Sequence, residues 1–309
     1  MREVAVVTTG FFDGVHLGHR HVLETVVSAA RERGEEAIVV TFWPHPRTVL
    51  QQDAREFRLL TSLEEKKALL TAVGIDRVEV LPFTRQFASL KAEEYLSLLR
   101  DRFGASLVVM GYDNRIGADR KMAREIPVTS TGKPEMVLLG PILPVTSTGK
   151  PDLVREVAIS STQIRKALEE GRIEEANGML GYEYGLYGVV VAGNRMGRTM
   201  GFPTANMHLY EPLKLVPGNG VYAVEVEVLG AKYKGMCNIG KRPTVGGTTR
   251  TIETHILDFD QDIYGLPMRL RFLRRIRDER KFPSLEALRA QLMEDREQTL
   301  SVLCGQPTL

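Results

Sequence analysis

The chain has 309 residues, with 41 Lys+Arg against 39 Asp+Glu and a formal net charge of +2. At roughly 100–200 residues per domain there is room for two cores, and 43% apolar with 26% charged residues excludes wholesale disorder. Near-balanced charge also argues against a general nucleic-acid binder, which would carry a basic excess.

Glu3 to Thr8 reads as a buried strand and His19 to Arg33 as a helix, with Val22, Leu23, Val26, Val27 and Ala30 at helical spacing. Ala37 to Phe42 is a second β-branched run. Ser62-Leu63-Glu64-Glu65 is a capping box that opens a helix stopping at Gly74. Val78–Leu81, a helix through Tyr95–Leu99 and Leu107–Met110 continue the alternation. Strand and helix in strict turn predict a Rossmann-like α/β domain, a parallel sheet with helices on both faces. Its ligands would sit beyond the carboxyl ends of the strands.

The second half changes period. Helices near Thr162–Glu170 and Glu174–Leu180 precede short alternating segments at Leu186–Ala192, Val221–Leu229, Lys232–Ile239, Thr251–Phe259 and Met268–Ile276. Gly, Pro and Asn punctuate them, which predicts a small antiparallel β-barrel. A closing helix starts near Ser284. The domain boundary is expected near Gly181, giving domains 1–181 and 182–309. Between them the octapeptide Pro-Val-Thr-Ser-Thr-Gly-Lys-Pro occurs twice, at Pro127–Pro134 and Pro144–Pro151. It fails the phosphate-loop pattern and reads as a duplicated polar loop, the two arms of a β-ribbon.

Cys237 and Cys304 are too few for a disulfide framework or a structural zinc site, and each is expected as a reduced, partly buried thiol. The apolar run at Met1–Val7 is short for a signal peptide, and no stretch of 18 residues lacks a charge. These features predict a cytoplasmic protein with neither membrane nor nucleic acid as partner.

Four motifs carry chemistry. Gly10-Phe11-Phe12-Asp13-Gly14-Val15-His16-Leu17-Gly18-His19 links the first strand to the first helix. Its glycines let backbone approach a phosphate, and the helix start attracts anions. In a nucleotidyl transfer, His16 and His19 would bind and neutralise the α–β phosphates of ATP as pyrophosphate departs. Ser160, Ser161, Thr162 and Arg165 open another helix; a serine cap alone explains the hydroxyls, and with the histidine motif a β,γ-phosphate site does. Gly193–Asn206, with Gly197, Arg198, Gly201 and Pro203, suits a loop over an anion. There Thr204 and Asn206 can serve Mg²⁺ or phosphate, or Asn206 can simply close a tight turn into a strand. Glu253 alternates with Ile252 and Thr254 and becomes a general base only if it faces the ligand crevice.

Taken together, the two clusters resemble, in the same order, the adenylyltransferase and riboflavin kinase modules of the bacterial bifunctional riboflavin kinase/FAD synthetases. Gly10–His19, Leu60-Thr61-Ser62 with Lys66, Gly111-Tyr112-Asp113, Ile159–Arg165, Gly197-Arg198, Gly201–Asn206, Asn238-Ile239-Gly240, Glu253 and Arg277–Phe282 look like blocks of that family. The resemblance implies that the first domain transfers AMP from ATP to FMN. Gly10, Phe12, Asp13, Gly14 and Gly18 would shape its nucleotide site, with Asp113 near nucleotide or metal. It implies that the barrel phosphorylates riboflavin, with Thr204 and Asn206 on Mg²⁺–ATP, Glu253 as base, and Arg277–Phe282 as a flap. The implied cofactor is Mg²⁺ and the partners are riboflavin, FMN and ATP; a weak homo-oligomer is compatible with the sequence. Ile116 stands where the family usually has an aromatic. A kinase without adenylyl transfer, or a non-catalytic flavin- or nucleotide-binding regulator, stays open on sequence alone.

Overall fold

The computed structural model describes residues 4–50, 57–111, 114–122, 134–139, 159–193, 197, 200–244 and 247–304. The chain divides into two compact units, Met1–Ser161 and Thr162–Leu309.

The first unit is built on a five-stranded sheet in the order β3-β2-β1-β4-β7. Its strands are β1 (Ala5–Thr9), β2 (Glu36–Trp43), β3 (Arg77–Pro82), β4 (Ala105–Gly111) and β7 (Glu135–Leu139). Every pair is parallel. The period of two along each strand feeds two cores. Val7, Ile38, Val40 and Val108 pack against Tyr95, Leu96, Leu99 and Phe103 of helix α5 (Ala92–Phe103). Val6, Ala37, Val39 and Val109 face Val22, Leu23, Val26 and Ala30 of α1 (Leu17–Arg33), together with Leu70 of α3 (Leu63–Ala72). α3 starts on the expected capping box, Ser62 Oγ accepting from Glu65 N and Glu65 Oε2 from Ser62 N. Short helices α2 (Pro46–Leu50) and α4 (Arg85–Ala88) and the two-stranded ribbon β5 (Arg115–Ile116)–β6 (Lys121–Met122) complete this unit. Ile116 is buried in the α5-side core, so the aliphatic replacement still fills apolar space.

β7 is a strand that the sequence did not reveal, because it lies between the two copies of the octapeptide. The β-ribbon expected of those copies falls on residues outside the described ones, Pro134 excepted.

In the second unit, α6 (Ser161–Glu169) and α7 (Ile173–Leu180) precede a closed barrel of order β10-β11-β12-β9-β8-β13. Its strands are β8 (Gly185–Val191), β9 (Ala205–Leu209), β10 (Gly220–Val228), β11 (Ala231–Thr244), β12 (Gly247–Ile256) and β13 (Pro267–Arg277), all paired antiparallel. Closure removes exposed strand edges. Tyr222, Val224, Val226, Leu270, Phe272, Cys237 and Thr254 fill the buried side. Cys237 is an unpaired thiol whose burial pushes its pKa up to about 12. α7 is tied to the barrel by Asn177, which donates to Phe272 O (2.9 Å) and accepts from Tyr184 N (2.8 Å). The closing helix α8 (Leu285–Cys304) packs against β10, β11 and β13.

Candidate functional site

The chain leaves β1 at the sheet's switch point, where successive connections run to β2 on one side and β4 on the other, the place where open α/β sheets bind ligands. The turn there is contorted: Phe12, Gly14 and Val15 have φ of 47°, 87° and 37°. Two non-glycine residues in the left-handed region are strain that surrounding contacts must hold. The contacts are visible. Asp13 accepts from Leu60 N (3.0 Å), Thr61 N (3.1 Å) and Thr61 Oγ1 (3.2 Å), and Gly14 N donates to Thr61 Oγ1 (3.2 Å). Ser161 Oγ donates to Asp13 O at 2.9 Å. The carboxylate of Asp13 thus braces the turn.

His16 caps α1, its Nδ1 accepting from His19 N at 3.3 Å. The two imidazoles stack with centroids 3.6 Å apart, and Phe12 meets His19 edge-on at 5.2 Å. A Cβ on Gly18 would come within 3.2 Å of the His16 ring, so glycine lets the ring lie against the helix start. Burial, then His16, then Lys66 hold the His19 pKa well below the usual imidazole value. His19 Nδ1 is buried with no hydrogen-bond partner among the described residues. Gly10 lies against the Phe12 ring. Asp113 lies outside the described residues. Ser160 directly precedes α6, whose first turn carries Ser161, an exposed Thr162 and a half-buried Arg165.

The second cluster is organised by strand register. Glu253 on β12 lies opposite Asn206 on β9 and opposite Asn238 on β11. Directly opposed residues point to the same face, so Asn206, Glu253 and Asn238 form one half-buried polar row across three strands. The neighbouring row, Ala205, Thr254 and Cys237, is buried. Asn206 is the second residue of β9, within the strand itself. A Cβ on Gly193 would overlap the Asn206 amide, and one on Gly197 would overlap Phe202 O and approach Thr204 Cγ2 at 3.6 Å. Glycine at both positions is what allows this close packing around Asn206 and Thr204. Gly201 takes φ 82° before the exposed Pro203, whose carbonyl accepts from His255 Nδ1 at 2.8 Å. Arg198 lies outside the described residues.

Arg277 is engaged within the protein. Its Nε and Nη2 donate to Asp295 of α8 at 2.9 and 2.8 Å, and Asp295 is fully buried and also accepts from Gln291. A Cβ on Gly240 would overlap Glu279, which accepts from Asn219 Nδ2 (3.1 Å), so the start of the expected flap lies beside β11. Sequence reasoning gave no role to Asn238, Thr41 or Lys66. Alternation puts Asn238 off the core face, but only register puts it opposite Glu253.

A parallel sheet with a histidine-bearing turn at its switch point, followed by a closed barrel, fits a transferase that handles nucleotides. The family model for riboflavin kinase (Flavokinase) matches residues 180–303, and that for FAD synthetase (FAD_syn) matches residues 1–132. The chain is 35% identical over 300 residues to the bifunctional riboflavin kinase/FMN adenylyltransferase of Bacillus subtilis, covering 96% of this chain and 92% of that one. To the enzyme of the same name from Listeria monocytogenes it is 37% identical, covering 95% and 91%. A solved structure described as a macrolide-efflux protein from Streptococcus pneumoniae superposes with a TM-score of 0.86 at 35% identity, over 97% of this chain and 95% of that one. That description concerns the other protein; among the described residues here, no helix is long and apolar enough to cross a membrane. The chain belongs to the bifunctional riboflavin kinase/FMN adenylyltransferase family, whose members are kinase and nucleotidyltransferase in one polypeptide.

Proposed function

We propose that the two reactions divide along the chain, adenylyl transfer in residues 1–181 and riboflavin phosphorylation in 182–309. In the first, a phosphate oxygen of FMN attacks the α-phosphorus of ATP and pyrophosphate leaves. His16 and His19 donate N–H groups to the phosphates at the head of α1, where the helix dipole adds to the attraction. Gly10, Phe12, Asp13, Gly14 and Gly18 shape the turn. Ser160, Ser161, Thr162 and Arg165 hold the outer phosphates, and Asp113 serves nucleotide or metal. The observation that carries this reading is the orphaned His19 Nδ1: a buried polar atom without a partner is rare and fits a position filled by substrate.

In the second reaction, the terminal ribityl hydroxyl of riboflavin attacks the γ-phosphate and Glu253 takes its proton. Thr204 and Asn206 are the ligands for Mg²⁺–ATP. Their neutral oxygens are the donors Mg²⁺ accepts beside substrate phosphates, and glycine at position 193 leaves room for the Asn206 amide. When bound, Mg²⁺ supplies charge neutralisation at the phosphates. Gly197, Arg198, Gly201 and Pro203 form the loop over the nucleotide, and Arg277 anchors the flap that excludes water. The alignment of Glu253 with Asn206 supports the pairing of base and nucleotide ligand. The reading includes a cytoplasmic location, consistent with the unpaired Cys237, and riboflavin, FMN and ATP as the partners.

Separate substitutions test the division. Glu253→Gln is expected to lower FMN formation by about 10²–10⁴ and leave adenylylation of supplied FMN near the parent rate, while His19→Ala does the reverse. Chromatographic resolution of FMN and FAD reads both. One substitution stopping both reactions in a folded protein would sink the two-site assignment.

A further inference from the structure

Lys66 is a buried cation for which neither reaction has yet given a use. Only 5% of its surface is exposed, and its ammonium lies at the end of β2 near the histidine turn. Nζ donates to Thr41 Oγ1 (3.0 Å), Phe11 O (3.2 Å) and Phe42 O (3.5 Å). The two shorter bonds, to Thr41 Oγ1 and Phe11 O, join the end of β2 to the histidine turn. Two of the acceptors belong to the end of β2. The third, Phe11 O, opens the strained turn of Phe12, Gly14 and Val15, and also accepts from Thr41 Oγ1 at 3.4 Å. Lys66 is thus a rivet between strand and turn. The same segment of chain supplies Thr61, which binds Asp13 and Gly14, so both ends of the turn are fastened to residues 60–66.

Stability does not explain this lysine. No salt bridge compensates its desolvation among the described residues; burial lowers its pKa to about 8 against a raising influence from Asp13. An apolar side chain of similar length would fill the site without that penalty. Phe11 O would keep its bond from Thr41.

We propose that Lys66 is a positioning residue for adenylyl transfer, fastening Phe11 so that the turn presents His16 and His19 to the phosphates of ATP. The proposal rests on the histidine–phosphate reading above. It differs from a direct phosphate contact, which would show in ATP affinity, and from a folding role, which would show as a lower unfolding midpoint of the first unit.

The full-length protein with Lys66→Met is assayed with FMN, ATP and Mg²⁺ and, separately, with riboflavin, ATP and Mg²⁺. The adenylyl-transfer kcat is expected to fall about tenfold or more, since small displacements of catalytic groups carry penalties of this size. KM for ATP and the rate of riboflavin phosphorylation should stay within about twofold of the parent on the same argument. Lys66→Arg, which keeps a donor-bearing cation, should recover part of the kcat. Unchanged kcat, a rise in KM for ATP at constant kcat, or a loss of kcat matched by a lower unfolding midpoint of the first unit would overturn the proposal. If Lys66→Met does not fold, Thr41→Val removes both an acceptor of Lys66 and the bond from Thr41 Oγ1 to Phe11 O, at nearly constant volume. It should lower adenylyl-transfer kcat by about threefold, with phosphorylation intact; an unchanged rate overturns the proposal. A His19→Ala protein that still adenylylates FMN would sink the underlying histidine reading instead, without altering the comparison of Lys66 variants with the parent.

Discussion

The histidine turn and the Glu253 row fix their polar groups by different physics. At the end of β1 the backbone is forced into left-handed conformations and held there by a buried network of Asp13, Thr61, Thr41 and Lys66. In the barrel no such network is needed, because the antiparallel ladder already aligns Asn206, Glu253 and Asn238 on one face. A site at the end of a parallel sheet stands on loops, and loops need bracing from other parts of the chain. A site on a barrel wall inherits its order from backbone pairing, and glycines need only clear space around it. The first kind should therefore be sensitive to distant polar substitutions, the second to added bulk.

Four measurements press on that contrast. The largest effect is expected from Asp13→Ala, which strands the buried donors Leu60 N, Thr61 N and Thr61 Oγ1. Adenylyl transfer should drop by about 10²-fold or more while riboflavin phosphorylation persists; equal losses would erase the distinction. Next, Gly193→Ala should reduce phosphorylation by about tenfold, because its methyl overlaps the Asn206 amide, with adenylyl transfer unaffected. Third, Asp295→Ala removes the buried partner of Arg277 and should destabilise the barrel unit by about 3–5 kcal/mol, read as a lower unfolding midpoint. A midpoint equal to the parent's would show that this pair is dispensable. The smallest is a pH effect. Lys66 has a folded-state pKa near 8, below the unfolded value of 10.5, so the unfolded chain holds more protons between those values. Stability of the first unit should then rise with pH across that window, and Lys66→Met should flatten the rise in denaturant titrations.

Local pattern made much of the first unit legible. Val22, Leu23, Val26 and Ala30 marked α1, Ser62 and Glu65 marked the start of α3, and β-branched runs marked β1, β2 and β4. β7 stayed hidden because five residues between two identical polar octapeptides carry little periodic signal. β9 was folded into a glycine-rich loop, since Ala205 and Asn206 follow Pro203 and Thr204 without a turn residue between. Among the site residues, the histidines stand out by residue type and context, while Glu253 takes its role from the family resemblance. Lys66 enters only as part of a family block, with no role, because a lysine in a helix is ordinarily at the surface. Its burial shows only when Lys66 and Leu70, four residues apart, are placed on the face of α3 turned inward. Asn238 required the register of three strands, which no local pattern encodes.

The cap that His16 forms on α1 also settles where its proton resides. A ring nitrogen that accepts from His19 N offers a lone pair, so in the neutral imidazole the hydrogen is on Nε2. His16 can therefore hand an N–H to an oxyanion without being charged itself. Tautomer, helix start and anion grip are in this way a single variable.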